Sequence, residues 1–181
     1  MTVRSTMTAL LARLRLLVDD PQSEAEFTDQ QLQDACDAHR LIIRYEELTG
    51  IETRTTTGSE YLEHISRFED WETVTLQDAG YAELTAATSD LNAGRWTFAS
   101  EPNMPVYATG EAHDLHAAAA DIWNYKAAAA AKQFAFSADG ASYHLEQKYE
   151  HCKAQADFHR KHSRGGFETV RLERNDVNPV Y

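Results

Sequence analysis

The chain has 181 residues, 43% of them hydrophobic and 25% charged, which is typical of a globular protein and excludes wholesale disorder and fibrous classes. Its formal net charge of −12 disfavours a protein that binds nucleic acid by neutralising phosphates. No run approaches the roughly 20 apolar residues that a bilayer-spanning helix needs, and Arg13 and Arg15 interrupt the Leu-rich N-terminal run. We therefore expect neither membrane contact nor a secretory leader.

Two amphipathic helices are predicted at the N-terminus. Leucines recur at helical spacing in residues 5–18, which places them on one face. The second helix, residues 28–40, begins at a capping box formed by Thr28 and Gln31, in which each side chain accepts a hydrogen bond from the other residue's backbone N–H. Both helices are expected to bury one apolar face.

From residue 41 the apolar period becomes alternating, which indicates strands. Residues 41–110 are rich in Thr, aromatic residues and turn signals, and they contain 12 acidic but only 4 basic residues. Besides a strand that starts at Leu41, the pattern predicts short strands at Tyr61–Phe68, Trp71–Leu76, Tyr81–Ala86, Arg95–Phe98 and Val106–Thr109. We interpret this segment as a small antiparallel β unit.

Helical patterns return at about 111–135 and 142–163. Nine of the residues from Ala117 to Ala131 are alanine, which favours helix and allows another helix to approach closely. Leu115, Ile122 and Tyr125 are predicted on the contact face of the first of these helices.

Together these elements predict an α+β fold that is mainly a helical bundle. The bundle comprises residues 1–40 and 111–164, with helices at about 5–18, 28–40, 111–135 and 142–163. A small antiparallel β subdomain, residues 41–110, is inserted into the bundle. Residues 165–181 are predicted to form an extended C-terminal arm.

Four of the eight histidines form a stripe on the last predicted helix: His144, His151, His159 and His162. His144 and His151 are about 10.5 Å apart along the helix axis, too far to share an ion whose ligand atoms lie about 2 Å from it. The pairs His159/His162 and His113/His116 are close enough, but each needs a third ligand. We interpret the stripe as part of a subunit–subunit contact and predict no metal or other cofactor.

The sequence contains no arrangement typical of an enzyme. It has no Gly-x-Ser-x-Gly motif and no phosphate-binding or dinucleotide-binding glycine pattern. Cys152 lies on the apolar side of its helix, where a thiol acts as a small hydrophobe. The adjacent carboxylates Glu46 and Glu47 point apart in a regular element. We predict that the protein is not an enzyme and has no catalytic residues; a small metal-dependent hydrolase using the histidines stays open as an alternative.

The C-terminal segment carries the clearest functional signal. After Gly165 and Gly166, which give the backbone freedom to turn, apolar and polar residues alternate to the end. Such a segment can add as a strand to another chain's sheet edge or fill a groove. The predicted partner-binding residues are Phe167, Val170, Arg171, Leu172, Arg174, Val177, Pro179, Val180 and Tyr181. A frayed end, or a last strand within its own β unit, is the alternative.

The order of elements and several short motifs resemble the head–tail adaptor proteins (connector or head-completion proteins) of tailed bacteriophages and archaeal tailed viruses. The resemblance is carried by the end of the second helix, two motifs in the β-rich stretch, the Ala-rich helix, the turn before the last helix, and the tail. These are Asp37-Ala-His-Arg40, Gly94-Arg-Trp-Thr-Phe98, Pro105-Val-Tyr107, Asp114-Leu-His-Ala-Ala-Ala-Ala-Asp121, Phe136-Ser-Ala-Asp-Gly140 and the run from Thr169 to Pro179.

The resemblance implies a virion structural protein that forms a homo-oligomeric ring, a dodecamer in this family, in the neck between head and tail. Such proteins are assembled in the host cytoplasm. Their C-terminal arms insert into the portal protein, and the opposite face meets a stopper or tail protein. The viral DNA passes transiently through the ring, and a negatively charged lumen does not trap it. A tail-terminator or minor head protein of the same virion is the alternative within this class.

Overall fold

The computed structural model describes residues 2–56, 58–134 and 142–164. Over these ranges the chain forms four α-helices: α1 (Thr8–Leu17), α2 (Asp29–Ala38), α3 (Leu115–Phe134) and α4 (Ser142–His162). It also forms eight strands: β1 (Arg40–Glu47), β2 (Thr49–Thr55), β3 (Gly58–Ile65), β4 (Trp71–Gln77), β5 (Glu83–Leu84), β6 (Thr88–Asp90), β7 (Arg95–Thr97) and β8 (Tyr107–His113). None of these helices is both long and apolar enough to cross a membrane.

The predicted fold class, a mainly helical bundle with a small inserted β subdomain, is wrong. The strands form two antiparallel four-stranded sheets, ordered β1-β8-β4-β5 and β2-β3-β7-β6, so the fold is α+β with extensive β structure. The pattern misses β2 because Ile51 is its one large apolar residue, which leaves no alternation to detect. It also assigns residues 111–113 to a helix, whereas they continue β8.

Strand β8 lies inside the first sheet and fixes the position of α3. It pairs antiparallel with β1 on one side and with β4 on the other. At Gly110 the neighbouring backbone is so close that a Cβ atom would lie 2.0 Å from the Thr73 carbonyl oxygen. The chain passes from β8 to α3 through the single residue Asp114, so the start of the helix is held at the edge of the sheet.

The buried apolar residues form two clusters. In the helical cluster, α1, α2, α3 and α4 contribute residues such as Leu14, Leu32 and Ile122. Both sheets contribute to the second cluster, which includes Trp71 of β4 and Trp96 of β7. The two indole rings meet edge to face with their centroids 5.7 Å apart, a favoured aromatic geometry.

The local signals of the helices are confirmed in part. The Thr28 capping box is present, with both reciprocal hydrogen bonds formed. Leu115 and Ile122 are buried on α3, but Tyr125 is 64% exposed. Trp123 is buried in its place, and its indole N–H donates to the Leu17 carbonyl at 3.1 Å, which orients α3 towards the end of α1.

Candidate functional site

The predicted portal-binding arm falls outside the described residues. This applies to all nine positions assigned to it: Phe167, Val170, Arg171, Leu172, Arg174, Val177, Pro179, Val180 and Tyr181. The arm therefore stays a prediction, and the structure describes only the point from which it starts.

That starting point is bound to the rest of the protein through Asp114. One carboxylate oxygen of Asp114 accepts a hydrogen bond from the Ala117 backbone N–H at 2.9 Å and so caps α3. The other oxygen accepts from the Arg164 backbone N–H at 2.7 Å. The Arg164 guanidinium also lies 5.3 Å from the centre of the Phe68 ring, a cation–π distance. Arg164 thus lies where α3, α4 and the sheet region meet.

The predicted histidine stripe divides into members with different surroundings. His144 lies on α4, but its side chain is outside the described part of the chain. His151 is exposed and its ring contacts Trp123 edge to face, with centroids 5.8 Å apart. His159 is only 4% exposed, so its side chain is used inside the subunit. His162 is exposed at the end of α4. The predicted subunit contact of His144, His151, His159 and His162 stays a prediction.

His159 pairs with His116 across the α3–α4 hairpin. Their Nδ1 atoms are 2.9 Å apart, and the ring of His162 lies 5.8 Å from that of His116 between centroids. Burial lowers the pKa of both His116 and His159, and the mutual repulsion of two imidazolium charges lowers that of His159 further. Both rings are therefore neutral near pH 7 and share one proton between the facing nitrogens.

Spacing along one helix cannot find this pair, because the partners lie on different helices. The pair could have been predicted from the distance in sequence between each histidine and the predicted turn at 136–140. In an antiparallel hairpin, residues at equal distances from the turn lie opposite each other, and His116 and His159 are nearly equidistant from residue 138. The contact between Trp123 and His151 follows the same rule.

A second polar cluster joins the N-terminal segment, α2 and the first sheet. The Arg4 guanidinium donates two hydrogen bonds to Asp37, at 2.8 and 2.6 Å, and two to Glu72, at 2.8 and 2.9 Å. Thr6 donates to Glu72 at 2.6 Å, and His113 lies 2.9 Å from the same carboxylate. The other ring nitrogen of His113 lies 3.0 Å from the Cys36 carbonyl, where it can donate.

Charge pairing decides the protonation states in this cluster. Burial by itself would raise the pKa of Glu72, but hydrogen bonds from Arg4, Thr6 and His113 outweigh it and lower that pKa to about 2. The hydrogen bonds from Arg4 also lower the pKa of Asp37, and the pKa of Arg4 is raised in turn. Both carboxylates are therefore ionised, and one guanidinium hydrogen-bonds to both of them.

Asp37, Glu72 and His113 have ligand atoms within 4.8 Å of one another, as a metal site requires. The Arg4 guanidinium already supplies the positive charge that such a group attracts, and it occupies both carboxylates bidentately. We interpret this cluster as a structural clamp. Sequence reasoning missed it because its members are far apart in the chain.

An ion pair between Arg13 and Asp70 links α1 to the residue directly before β4. Arg13 contacts the Asp70 carboxylate at 2.5 Å and donates to the Asn92 carbonyl at 3.1 Å. The Asp70 carbonyl accepts from the His113 backbone N–H at 3.0 Å. Burial raises the pKa of Asp70 to about 6 in spite of Arg13, so this carboxyl titrates above its usual range.

Three tyrosines form an aromatic patch on the first sheet, and two of them are largely exposed. Tyr81 stacks on Tyr107 with centroids 6.1 Å apart and meets Tyr45 edge to face at 5.9 Å. Tyr45 and Tyr81 are 57% and 62% exposed, and both adopt left-handed backbone with φ of 51° and 62°. Tyr45 lies at an irregularity of β1, between Ile43 and Glu46, which turns its ring outward. Exposed aromatic groups of this kind are typical of protein–protein contacts.

Comparison with protein-family models, curated proteins and solved structures found no match of any of the three kinds.

Proposed function

We propose that this chain is a virion structural protein, a head–tail adaptor that forms a ring between the portal and the tail and is not an enzyme. The observation that carries the proposal is the hydrogen bond that fixes Arg164, the residue directly before the C-terminal segment. Asp114 binds the Arg164 backbone and so holds the residue that precedes Gly165, Gly166 and the alternating 15-residue segment 167–181. An arm that binds a neighbouring protein benefits from a rigid starting point. If its first residue were mobile, ordering that residue would add to the entropy lost on binding.

The composition of the arm supports strand addition to the portal. In an extended chain, Val170 and Leu172 lie on one side, while Arg171 lies on the other. Main-chain hydrogen bonds would supply affinity, and the apolar side chains would set the register. Arg171 and Arg174 would meet carboxylates of the portal.

The remaining surface supports a role in a ring that DNA traverses. The net charge of −12 repels phosphates, so a lumen lined by this protein would release the genome. The exposed tyrosines at 45 and 81 offer an apolar contact for a neighbouring copy, or for the stopper or tail protein.

The polar clusters support a structural role over a catalytic one. Asp37 and Glu72 each accept two hydrogen bonds from Arg4, and this pairing disfavours either carboxylate as a general base. The proposed location is the neck of the virion, reached by assembly in the host cytoplasm.

The test is reconstitution with the neighbouring portal protein of the same virus. We expect the full-length protein to bind portal rings and appear in electron micrographs as an added ring, and deletion of residues 167–181 to abolish binding while the thermal transition stays unchanged. Leu172→Asp should weaken portal binding at least tenfold. Its matched control is Glu173→Asp, which places the same residue on the opposite side of the strand and should bind normally.

Portal binding by the truncated protein would contradict the anchoring role of the arm. Failure of the truncated protein to fold would show instead that the segment is a strand of its own sheet. Binding of the full-length protein to a tail-tube protein but not to the portal would favour a tail terminator.

A further inference from the structure

Helix α3 presents different residues on two opposite sides. One side faces α4: the His116 ring lies 5.1 Å from that of His159, and the Trp123 ring lies 5.8 Å from that of His151, between centroids. Tyr125 follows His116 by nine residues, which places it about 180° around the helix. The side of α3 that carries Tyr125 therefore faces away from α4.

On that side, α2 and α3 form an open groove of about 280 Å³. The Tyr125 ring is 64% exposed and meets the Phe27 ring edge to face, with centroids 5.6 Å apart, so an aromatic surface is open to a partner. We call this feature the α2–α3 groove. It is lined by the apolar residues Phe27, Ala35, Ile122 and Tyr125, by Gln31, and by the acidic residues Asp34 and Asp121.

The rim of the α2–α3 groove is acidic. Asp34 and Asp121 are both exposed, and Asp121 contacts the His39 ring at 2.7 Å. The Lys126 ammonium lies 5.8 Å from the centre of the Phe27 ring, but it donates to backbone carbonyls and its side chain is only 10% exposed. The groove therefore complements a surface that combines an aromatic ring with positive charge.

The exposed side of α4 is such a surface. Phe158 is 50% exposed, and it lies about 200° around the helix from the buried Ala156. Lys161 and His162 follow Phe158 by three and four residues, so they flank it on the helix surface. The His162 ring lies 4.2 Å from the Phe158 ring between centroids, and Lys161 has no ion-pair partner in the described part of the chain. We call these three residues the α4 face.

We propose that the α4 face of one copy docks in the α2–α3 groove of the next copy. The Phe158 ring packs there against the rings of Phe27 and Tyr125. The Lys161 ammonium lies beside the carboxylates of Asp34 and Asp121. An aromatic anchor inside a charged rim is typical of protein–protein interfaces.

The positions of the two surfaces decide the symmetry of the assembly. Helix α4 packs on one side of α3 and the α2–α3 groove opens on the other, so the two surfaces cannot meet within one copy. A contact between two different surfaces is heterologous, and it continues from copy to copy until a ring closes. The inference rests on the ring of the proposed function and names its subunit contact, which includes the predicted contact residue His162.

The experiment measures self-association of the full chain without a portal, by sedimentation velocity over a hundredfold range of concentration. We expect the wild-type mass to rise beyond that of a dimer. Phe158→Glu and Tyr125→Arg each replace an exposed ring by a charge that the opposite surface repels, so each variant alone should associate at least tenfold more weakly. Tyr149→Glu is the matched control. It changes an exposed ring of α4 that lies about 180° around the helix from Phe158, and it should associate as the wild type does.

A mixture of the two variants tests the head-to-tail geometry. Phe158→Glu keeps an intact groove and Tyr125→Arg keeps an intact α4 face, so an equimolar mixture should form complexes of two chains and none larger. Thermal melts followed by circular dichroism check that each variant is folded. Association of the wild type should also weaken as salt is added, because salt screens the rim charges, and this measurement needs no variant.

The proposal is overturned if the wild-type chain stays monomeric, if folded Phe158→Glu associates like the wild type, or if the mixture forms no two-chain complex. It is also overturned if Tyr81→Glu rather than Phe158→Glu removes the association. Self-association through these surfaces without portal binding would refute the adaptor proposal and leave this contact standing. A complete ring of Phe158→Glu chains on the portal would support the adaptor and refute this contact.

Discussion

The backbone N–H of Arg164 donates to the Asp114 carboxylate at 2.7 Å, so a residue at the start of α3 holds the end of α4. The same carboxylate caps α3 through Ala117. Asp114→Ala should therefore lower the free energy of unfolding by about 1 kcal/mol through the lost cap. Under the adaptor proposal, Asp114→Ala should also weaken portal binding, because Arg164 at the start of the arm is no longer held in place.

The control for this substitution is Asp121→Ala on the same helix. Asp121 is exposed and contacts His39 at 2.7 Å on the surface, where such pairs contribute little. Urea denaturation followed by circular dichroism measures both variants, and equal stability of the two would refute the capping role.

The Arg4 clamp should be one of the most sensitive polar sites. Glu72→Gln keeps the shape but removes the charge that accepts hydrogen bonds from Arg4, Thr6 and His113. Hydrogen bonds to charged groups contribute about 1.5–3 kcal/mol each, so we expect a loss of about 2–3 kcal/mol in unfolding free energy. Glu111→Gln is the control, because Glu111 pairs with Arg40 at 3.4 Å near the surface and should cost less than about 0.5 kcal/mol.

The depressed pKa of Glu72 predicts a specific acid sensitivity. Its pKa falls from 4.5 to about 2 on folding, so the unfolded chain takes up a proton before the folded one does. The stabilisation is complete above pH 4.5 and is lost as the pH falls towards 2, with an upper limit of about 3 kcal/mol. Wild-type protein should lose more stability than Glu72→Gln across this window. Parallel pH profiles of the two proteins would contradict the prediction.

Gly110 should tolerate no side chain. A Cβ atom there would meet the Thr73 carbonyl oxygen at 2.0 Å, and β8 is paired on both sides, so neither neighbour can move away without breaking the sheet. Gly110→Ala should cost about 3 kcal/mol or more. At Gly80 the nearest atom to a Cβ is an Asp78 side-chain oxygen at 3.3 Å, so Gly80→Ala is the tolerated control. Thermal melts that match for the two variants would show that the sheet is less tightly paired than described.

The helices could be predicted from signals between residues close in sequence. Strand pairing and the polar clusters depend on residues far apart in sequence, so they could not. The Thr28 capping box and the run of alanines are signals confined to a few residues, and α2 and α3 follow them closely. Residues 111–113 lie directly before a helix, yet they belong to β8 because two neighbouring strands pair with them. The Arg4 clamp and the His116–His159 pair join residues whose separation in sequence carries no periodic signal.

The two apolar clusters are connected through ionic contacts, and this connection affects how the protein unfolds. Arg4–Glu72 and Arg13–Asp70 link the N-terminal helical region to β4 and to the residue directly before it. Acid protonates Glu72 and Asp70 but leaves both cores apolar. Cooperativity should therefore fail before either core melts, and near pH 2 the tryptophans of the sheet cluster and the circular dichroism of the helices should report separate transitions.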